Sequence, residues 1–294
     1  MKKIVIATIL TTAAMLAQAQ AGISGKVGYW MDRTELGGKS TNAGGLEPTS
    51  NIAFTASEKL GALRATAVVE TSLSGNTFGG SETRLGDRTS TVGLSGSNWG
   101  LSVGRDVHGH FLTVSDADAF STLVGSIAGD VHNLRDLRMS NAVSLSLAPF
   151  KGTALRFDHS PTSGNEVSSF SGSATVAGFT GSASRWENRG QRSTAFALGT
   201  SVAGFKVSYL RTDDMMATAA ASSVGQSVGV SRNMGPYTFK GSVGRTDKDV
   251  KAYALGVDYA LSKRTALGLA YRDVDRTGTA GDVQQVAFGM VHKF

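Results

Sequence analysis

The sequence predicts an all-β chain: a transmembrane, antiparallel β-barrel of about 16 strands. Three observations carry this. Apolar and polar residues alternate with period two along most of the chain. The apolar face carries aromatics, while the other face is crowded with Gly, Ala, Ser and Thr and holds isolated charges. No apolar run of about 18 residues follows the N-terminus, so no ordinary transmembrane helix is encoded.

Composition narrows the class further. The 294 residues include 37 glycines, about twice the usual ~7%, and only 4 prolines. There is no cysteine, which excludes a disulfide scaffold, thiolate metal sites and a thiol nucleophile. With 40% hydrophobic and 18% charged residues, the chain is too apolar and too weakly charged to be disordered. The formal net charge is +6.

Lys2-Lys3, the apolar stretch Ile4 to Leu16 and the small-x-small triplet Ala19-Gln20-Ala21 have the layout of an export signal. The competing reading is a membrane anchor, for which the apolar stretch is short. The expected division is a signal peptide at 1–21 and one barrel domain at 22–294.

The strands follow in order. The first half gives 22–33, 48–58, 62–73, 88–97, 99–106, 138–149, 152–160 and 166–178. The second half gives 179–188, 191–203, 204–213, 222–234, 236–246, 249–260, 264–274 and 283–294. Each is ~10 residues, the length that crosses a bilayer at a tilt. The alternation is clearest near the end. Tyr253, Leu255, Val257, Tyr259 and Leu261 share one face, against Ala252, Ala254, Gly256 and Asp258. Val286, Phe288, Met290 and Phe294 likewise oppose Gln285, Ala287, Gly289 and Lys293. A soluble sandwich would alternate too, but the small, polar second faces suit a barrel with apolar residues outward.

The connections are unequal. One end has tight turns at Lys59-Leu60-Gly61, Ser97-Asn98, Pro149-Phe150-Lys151, Gly178, Gly204, Gly235-Pro236 and Leu261-Ser262-Lys263. The other end has longer loops, expected at 34–47, 74–87, 107–137, 161–165, 214–221 and 275–282. Short inner turns against longer external loops are the asymmetry of outer-membrane barrels. All four prolines fall at or beside strand ends, where a missing N–H is tolerated.

Several segments resemble the trimeric general porins of the Gram-negative outer membrane, of the beta-proteobacterial type. They are Phe54 to Ala65 leading to Val68-Val69-Glu70, Val92 to Gly96 with Trp99-Gly100 and Gly104-Arg105, and Arg138 with Asn141-Ala142-Val143 and Ala148-Pro149-Phe150. The C-terminal stretches Gly256 to Thr265 and Gly289 to Phe294 are the nearest to that family. Together they cover the mature chain. The resemblance implies a water-filled channel for ions and small hydrophilic solutes, a homotrimer set in outer-membrane lipid, and no cofactor. The terminal Phe294 resembles the family's signal to the barrel-assembly machinery.

In that family the third loop folds into the barrel and sets acids against a basic wall. The long connection 107–137 is its counterpart here, with Asp116, Asp118, Asp130 and Asp136; Asp118 is the best placed. A solvated external lid is the alternative. Lys26, Arg88 and Arg138 correspond to basic wall positions, and Asn51 stands where the family often has another arginine. Alternation would put Arg88 on the side of Val92 and Leu94, a conflict that a bulge could resolve. Alternation alone places Arg64, Arg156, Lys206, Lys240, Arg272 and Lys293 on the lumen side, with Glu70, Asp158 and Asp258.

Other functions have weaker support. Asp213-Asp214 with His108, His110 or His132 could activate water at a rim site. His108 and His110, two residues apart, are poor evidence for a metal. The cations form no single aromatic-interleaved patch, so nucleic acid is not an expected partner. An adhesin or anchor would need longer external loops. The expectation is therefore a non-enzymatic, metal-free porin, modestly anion-selective; a channel of the same fold with a saturable site for one solute is the alternative.

Overall fold

A computed structural model describes residues 20–73, 85–121, 123–132, 134, 137–162, 166–216, 218, 222–276 and 281–294. Residues 1–19, and with them most of the expected signal, lie outside the described residues, as does Asp136.

The strands in the first half are β1 (Gln20–Leu36), β2 (Lys39–Leu46), β3 (Asn51–Leu60), β4 (Leu63–Ser72), β5 (Thr89–Ser95), β6 (Trp99–Val107), β7 (Arg138–Leu147) and β8 (Thr153–Ser160). They continue as β9 (Val167–Val176), β10 (Phe179–Asn188), β11 (Gln191–Val202), β12 (Phe205–Met215), β13 (Ser223–Met234), β14 (Tyr237–Thr246), β15 (Val250–Ala260), β16 (Thr265–Arg276) and β17 (Val283–Lys293). Two helices, α1 (Gly109–Ala117) and α2 (Ala128–Val131), lie in the connection between β6 and β7.

Each strand pairs antiparallel with its neighbours, and β17 returns to β1 from Lys26↔Lys293 to Leu36↔Val283. Backbone bonds from Gly25 N to Phe294 O (3.1 Å) and from Phe294 N to Gly25 O (3.0 Å) extend that seam. Closure leaves no sheet edge facing lipid, which the dry bilayer interior demands. The 17 strand segments fill sixteen barrel positions, because β2 and β3 share one. β2 pairs with the outer half of β1, Tyr29 to Leu36, and β3 with its inner half, Gln20 to Lys26. Glu47 to Ser50, including Pro48, separate them.

This corrects the expected loop at 34–47. It is a hairpin, turned at Gly37 (φ 55°) and Gly38 (φ 78°). Two positive φ values make a type I′ turn, the turn that fits strand twist. Ala177-Gly178 and Ala203-Gly204 turn in the same way at the other end.

The outer face is apolar and open. Leu255 is 61% exposed, Val243 57% and Phe288 46%, as lipid-facing residues are in an isolated barrel. Aromatic pairs add to the wall, among them Phe157–Phe170 at 4.8 Å and Tyr237–Tyr259 at 4.9 Å between ring centroids. The buried residues lie inside the barrel, between the wall and the connection 108–137.

Candidate functional site

The lumen is occupied by the segment that follows β6. It enters as α1, whose N-terminal N–H groups are met by the wall. Asp158 Oδ2 on β8 accepts from Gly109 N (2.8 Å), and Ser169 Oγ on β9 accepts from His110 N (3.0 Å). A carboxylate at a helix N-terminus is the charge the helix dipole favours. His108 is the N-cap and its Nδ1 accepts from Phe111 N. Val114 and Ala117 then pack on Ala195, Ala197 and Leu210, and Ser208 Oγ donates to Ala117 O (2.6 Å).

The second half crosses to β13–β17. Phe120, Ile127 and Val131 are at most 2% exposed, set against Ala252, Ala254, Ala270, Val274 and Val283. Glycines make the seat. A Cβ on Gly256 would lie 2.7 Å from the Phe120 ring, and one on Gly225 would lie 2.0 Å from Val131 O. Asp130 Oδ2 accepts from Arg272 NH1 (3.0 Å), and its other oxygen pairs with Arg276. The loop is therefore folded inward, along β8–β17, and among the described residues its buried clusters do not include the wall of β1 to β7.

That wall carries the basic cluster. Arg88 Nε donates to Glu70 Oε1 (2.6 Å), and Thr89 Oγ1 donates to Glu70 Oε2 (3.1 Å). Arg88 faces inward because β5 begins only at Thr89, so the alternation does not extend to it. Arg105 Nε donates to Asp87 O (2.7 Å) and its NH1 to Ser140 Oγ. Arg138 lies within electrostatic reach of Arg88, Arg105, Glu70 and Asp106. Its buried Nε has no hydrogen-bond partner among the described residues. No register shift resolves Arg88; the one in this wall lies in the next strand, in the β6–β7 pairing between Gly104 and Asp106.

The expected wall residues Lys26, Arg64, Glu70, Arg88, Arg138, Arg156, Lys206, Lys240 and Arg272 differ in their pairing, and Asp116, Asp118 and Asp130 lie on the connection between β6 and β7. Lys26 meets Glu47 Oε2 at 3.2 Å and also donates to Thr49. Arg156 bridges Asp158 (2.8 Å) and Asp106 (3.2 Å). Lys240 pairs with Asp258 at 2.5 Å, and its Nζ stands 5.6 Å from the Phe120 ring centre. Asp118 holds the loop together, accepting from Ser126 Oγ (2.6 Å) and Phe120 N (3.3 Å). Arg64 and Lys206 are exposed at the short-turn end, and Asp116 is exposed on α1. Enclosure by the wall raises the Asp116 carboxyl above its ordinary value.

Alternation missed Glu47 and Asp106. Glu47 sits in the break beside Pro48, and Asp106 beside the bulge, where period two fails. The histidines are seating groups: His110 Nδ1 meets Ser184 Oγ at 3.0 Å, and His132 meets Thr212 and Ser227 hydroxyls at 3.0 and 2.7 Å. Burial pushes His110 down to about 3, with neighbouring His108 adding to the effect, and pushes His132 down to about 4. Asp213 is exposed and Asp214 buried, on opposite faces of β12, so they do not form a paired acid. Among the described residues no group of three His, Asp or Glu is arranged to hold a metal.

Solved structures share the fold. The chain is similar to the anion-selective porin from Comamonas acidovorans at 19% identity and TM-score 0.81, covering 94% of this chain and 100% of that one. It is similar to a mutant of Rh. blastica porin at 13% identity and TM-score 0.74, covering 94% and 100%. It is also similar to Vibrio cholerae OmpT in a trimer form, at 11% identity and TM-score 0.70, covering 94% and 99%. No curated protein matches by sequence. Residues 5–279 match the family described as Gram-negative porin. The closed barrel, its inward loop and that match together place the chain in the Gram-negative porin family, as a channel of the outer membrane.

Proposed function

We propose that the channel passes ions and small hydrophilic solutes without chemical change, with a modest preference for anions. One observation carries the preference: the charges left unpaired in the lumen. Arg64, Arg138, Lys206 and Lys293 have no carboxylate partner among the described residues, whereas Asp130 is paired with Arg272 and Arg276. Asp118 accepts from Ser126 and Asp32 from Thr34 and Gln285, so these two acids offset part of the excess. Asp116 remains as the exposed loop acid, and its raised proton affinity weakens it as pH falls. In a narrow, low-dielectric-walled channel the nearby fixed charge dominates the potential. The fold shared with the Comamonas acidovorans anion-selective porin supports this reading.

Lys26, Arg88 and Arg138 are assigned to the basic wall, and the loop 108–137 to the size limit. A homotrimer, removal of 1–21 on export and engagement of the assembly machinery through Phe294 complete the proposal. Reversal potential in a salt gradient tests the preference. An anion-selective potential at low salt is expected, fading near 1 M as the screening length falls to ~3 Å. Cation selectivity at low salt would remove the proposal.

A further inference from the structure

We propose that the periplasmic mouth of the barrel binds polyvalent anions, held chiefly at the cross-strand pair Lys59 and Arg64, with Lys206 and Lys293 adding to the positive field around the rim. It rests on the channel reading above and adds to it a place, a side and a ligand class.

The axial distribution of charge is the first observation. The short turns and both termini of the barrel mark the periplasmic end. Counting residues within three positions of those turns, Lys59 and Arg64 flank the first, and Lys151 lies in the third. Lys206, Arg232, Lys263, Arg264 and the penultimate Lys293 complete the set, against two acids, Glu58 and Asp258. Without Lys2 and Lys3 of the expected signal the formal charge falls from +6 to +4, so the surplus of six exceeds it and the rest of the barrel carries more acid than base. Two of these residues face away from the lumen: Arg232 stacks on Phe205 at 4.5 Å, and Glu58 shares the outward face of Phe54 and Leu60.

The second observation is a conflict in the sheet. Lys59 and Arg64 are direct cross-strand partners, and so are Lys26 and Lys293. Like charges directly opposite in an antiparallel pair destabilise it. Both pairs point into the lumen. Lys26 escapes the repulsion by turning to Glu47 and Thr49. The others do not: Arg64 reaches the Ser57 hydroxyl at 3.3 Å, and Lys59, Lys206 and Lys293 have no carboxylate partner among the described residues. All four are exposed to solvent. Cross-strand partners stand ~5 Å apart at Cα, so one anion carrying two or more charges can meet both Lys59 and Arg64. A monovalent ion cannot, which makes the site selective for phosphates and polycarboxylates. Among the described loop-side turns cations are interleaved with acids, as in Asp247-Lys248-Asp249, and the arginines Arg88, Arg105 and Arg138 share their wall with Glu70 and Asp106.

The test uses the full channel in planar bilayers at low salt, with inorganic tripolyphosphate as probe. The chain has no cysteine. A single Arg189→Cys in the outer turn therefore reports orientation through a membrane-impermeant thiol reagent. Tripolyphosphate added on the periplasmic side should depress chloride current at a concentration about tenfold lower than on the external side. The variant combining Lys59→Ser, Arg64→Ser and Lys293→Ser should lose that difference. If it does not assemble, Arg64→Ser and Lys293→Ser singly should each reduce the difference about threefold. Equal block from both sides, or a side difference that survives these substitutions, overturns the site. The reversal potential read in the same bilayers separates the two claims: anion selectivity with symmetric block removes the site alone.

Discussion

Asp130 is the most informative single side chain of the inward loop. It is 8% exposed and engages Arg272 and Arg276, which are 25% and 29% exposed. Asp130→Asn removes the charge but keeps the shape, leaving two guanidinium groups facing an amide. Removing one partner of a buried ion pair costs ~3–5 kcal/mol, and partial exposure of the arginines reduces this to ~2–3 kcal/mol. The apolar part of the seat remains: Phe120, Ile127 and Val131 are almost fully buried, each worth ~1.5–3 kcal/mol. The loop should stay seated most of the time. Its detached fraction should rise about 30- to 150-fold, since each 1.4 kcal/mol is a factor of ten. Single-channel recording reads this directly. Asp130→Asn should show more open-channel noise and brief steps of larger conductance, and its reversal potential should move further toward anions. Noise identical to the parent at both low and high salt would refute the claim that this carboxylate holds the loop.

Three further outcomes follow from the same geometry. Leu255→Arg puts a cation on the lipid face at a cost of ~2–4 kcal/mol and should impair assembly, whereas Ser173→Arg on the lumen face should assemble. Heat-modifiable mobility on gels compares them, and equal tolerance would reverse the face assignment. Phe120→Ala should loosen the loop by ~3–5 kcal/mol, seen as raised noise with normal barrel assembly; a quiet channel contradicts it. Acid should loosen the loop as well. His132 and His110 are held near 4 and 3, below the ordinary ~6.5. The detached loop therefore binds protons that the seated loop excludes, so seating is strongest above ~6.5 and weakens as pH falls toward 4 and then 3. Channel noise that stays flat down to about pH 4 would contradict this.

The barrel was legible because lipid imposes a rule on every crossing strand. The segment 249–260 alternates from end to end, and β15 occupies 250–260. The hairpin at 34–47 was missed for the complementary reason. β2, Lys-Ser-Thr-Asn-Ala-Gly-Gly-Leu, has no apolar alternation to detect. It pairs with the outer half of β1, and backbone bonds to that half hold it without an apolar face. Arg88 gave a false conflict because alternation was extended one residue past the start of β5. The lumen acids were legible where they alternate, as Glu70 and Asp158 do, and hidden where the strand breaks, as at Glu47 and Asp106. The seat of the loop left one trace in the sequence. Gly225, Gly229, Gly244 and Gly256 line the inner face of β13, β14 and β15, where any Cβ would meet the loop. A Gly256→Ser substitution is thus not silent, although its strand position alone suggests that it would be.

The account turns on one claim: the segment after β6 lies in the lumen and narrows a water-filled path. Deleting Asp116 to Val124 removes the end of α1 and the Phe120 anchor while leaving every strand intact. Conductance per channel and swelling of liposomes in sugars of graded size should be measured on this variant and its parent. Larger unit conductance together with entry of larger sugars is the predicted result. Unchanged conductance and an unchanged size limit would contradict the account, because a loop that narrows the path cannot be shortened without widening it.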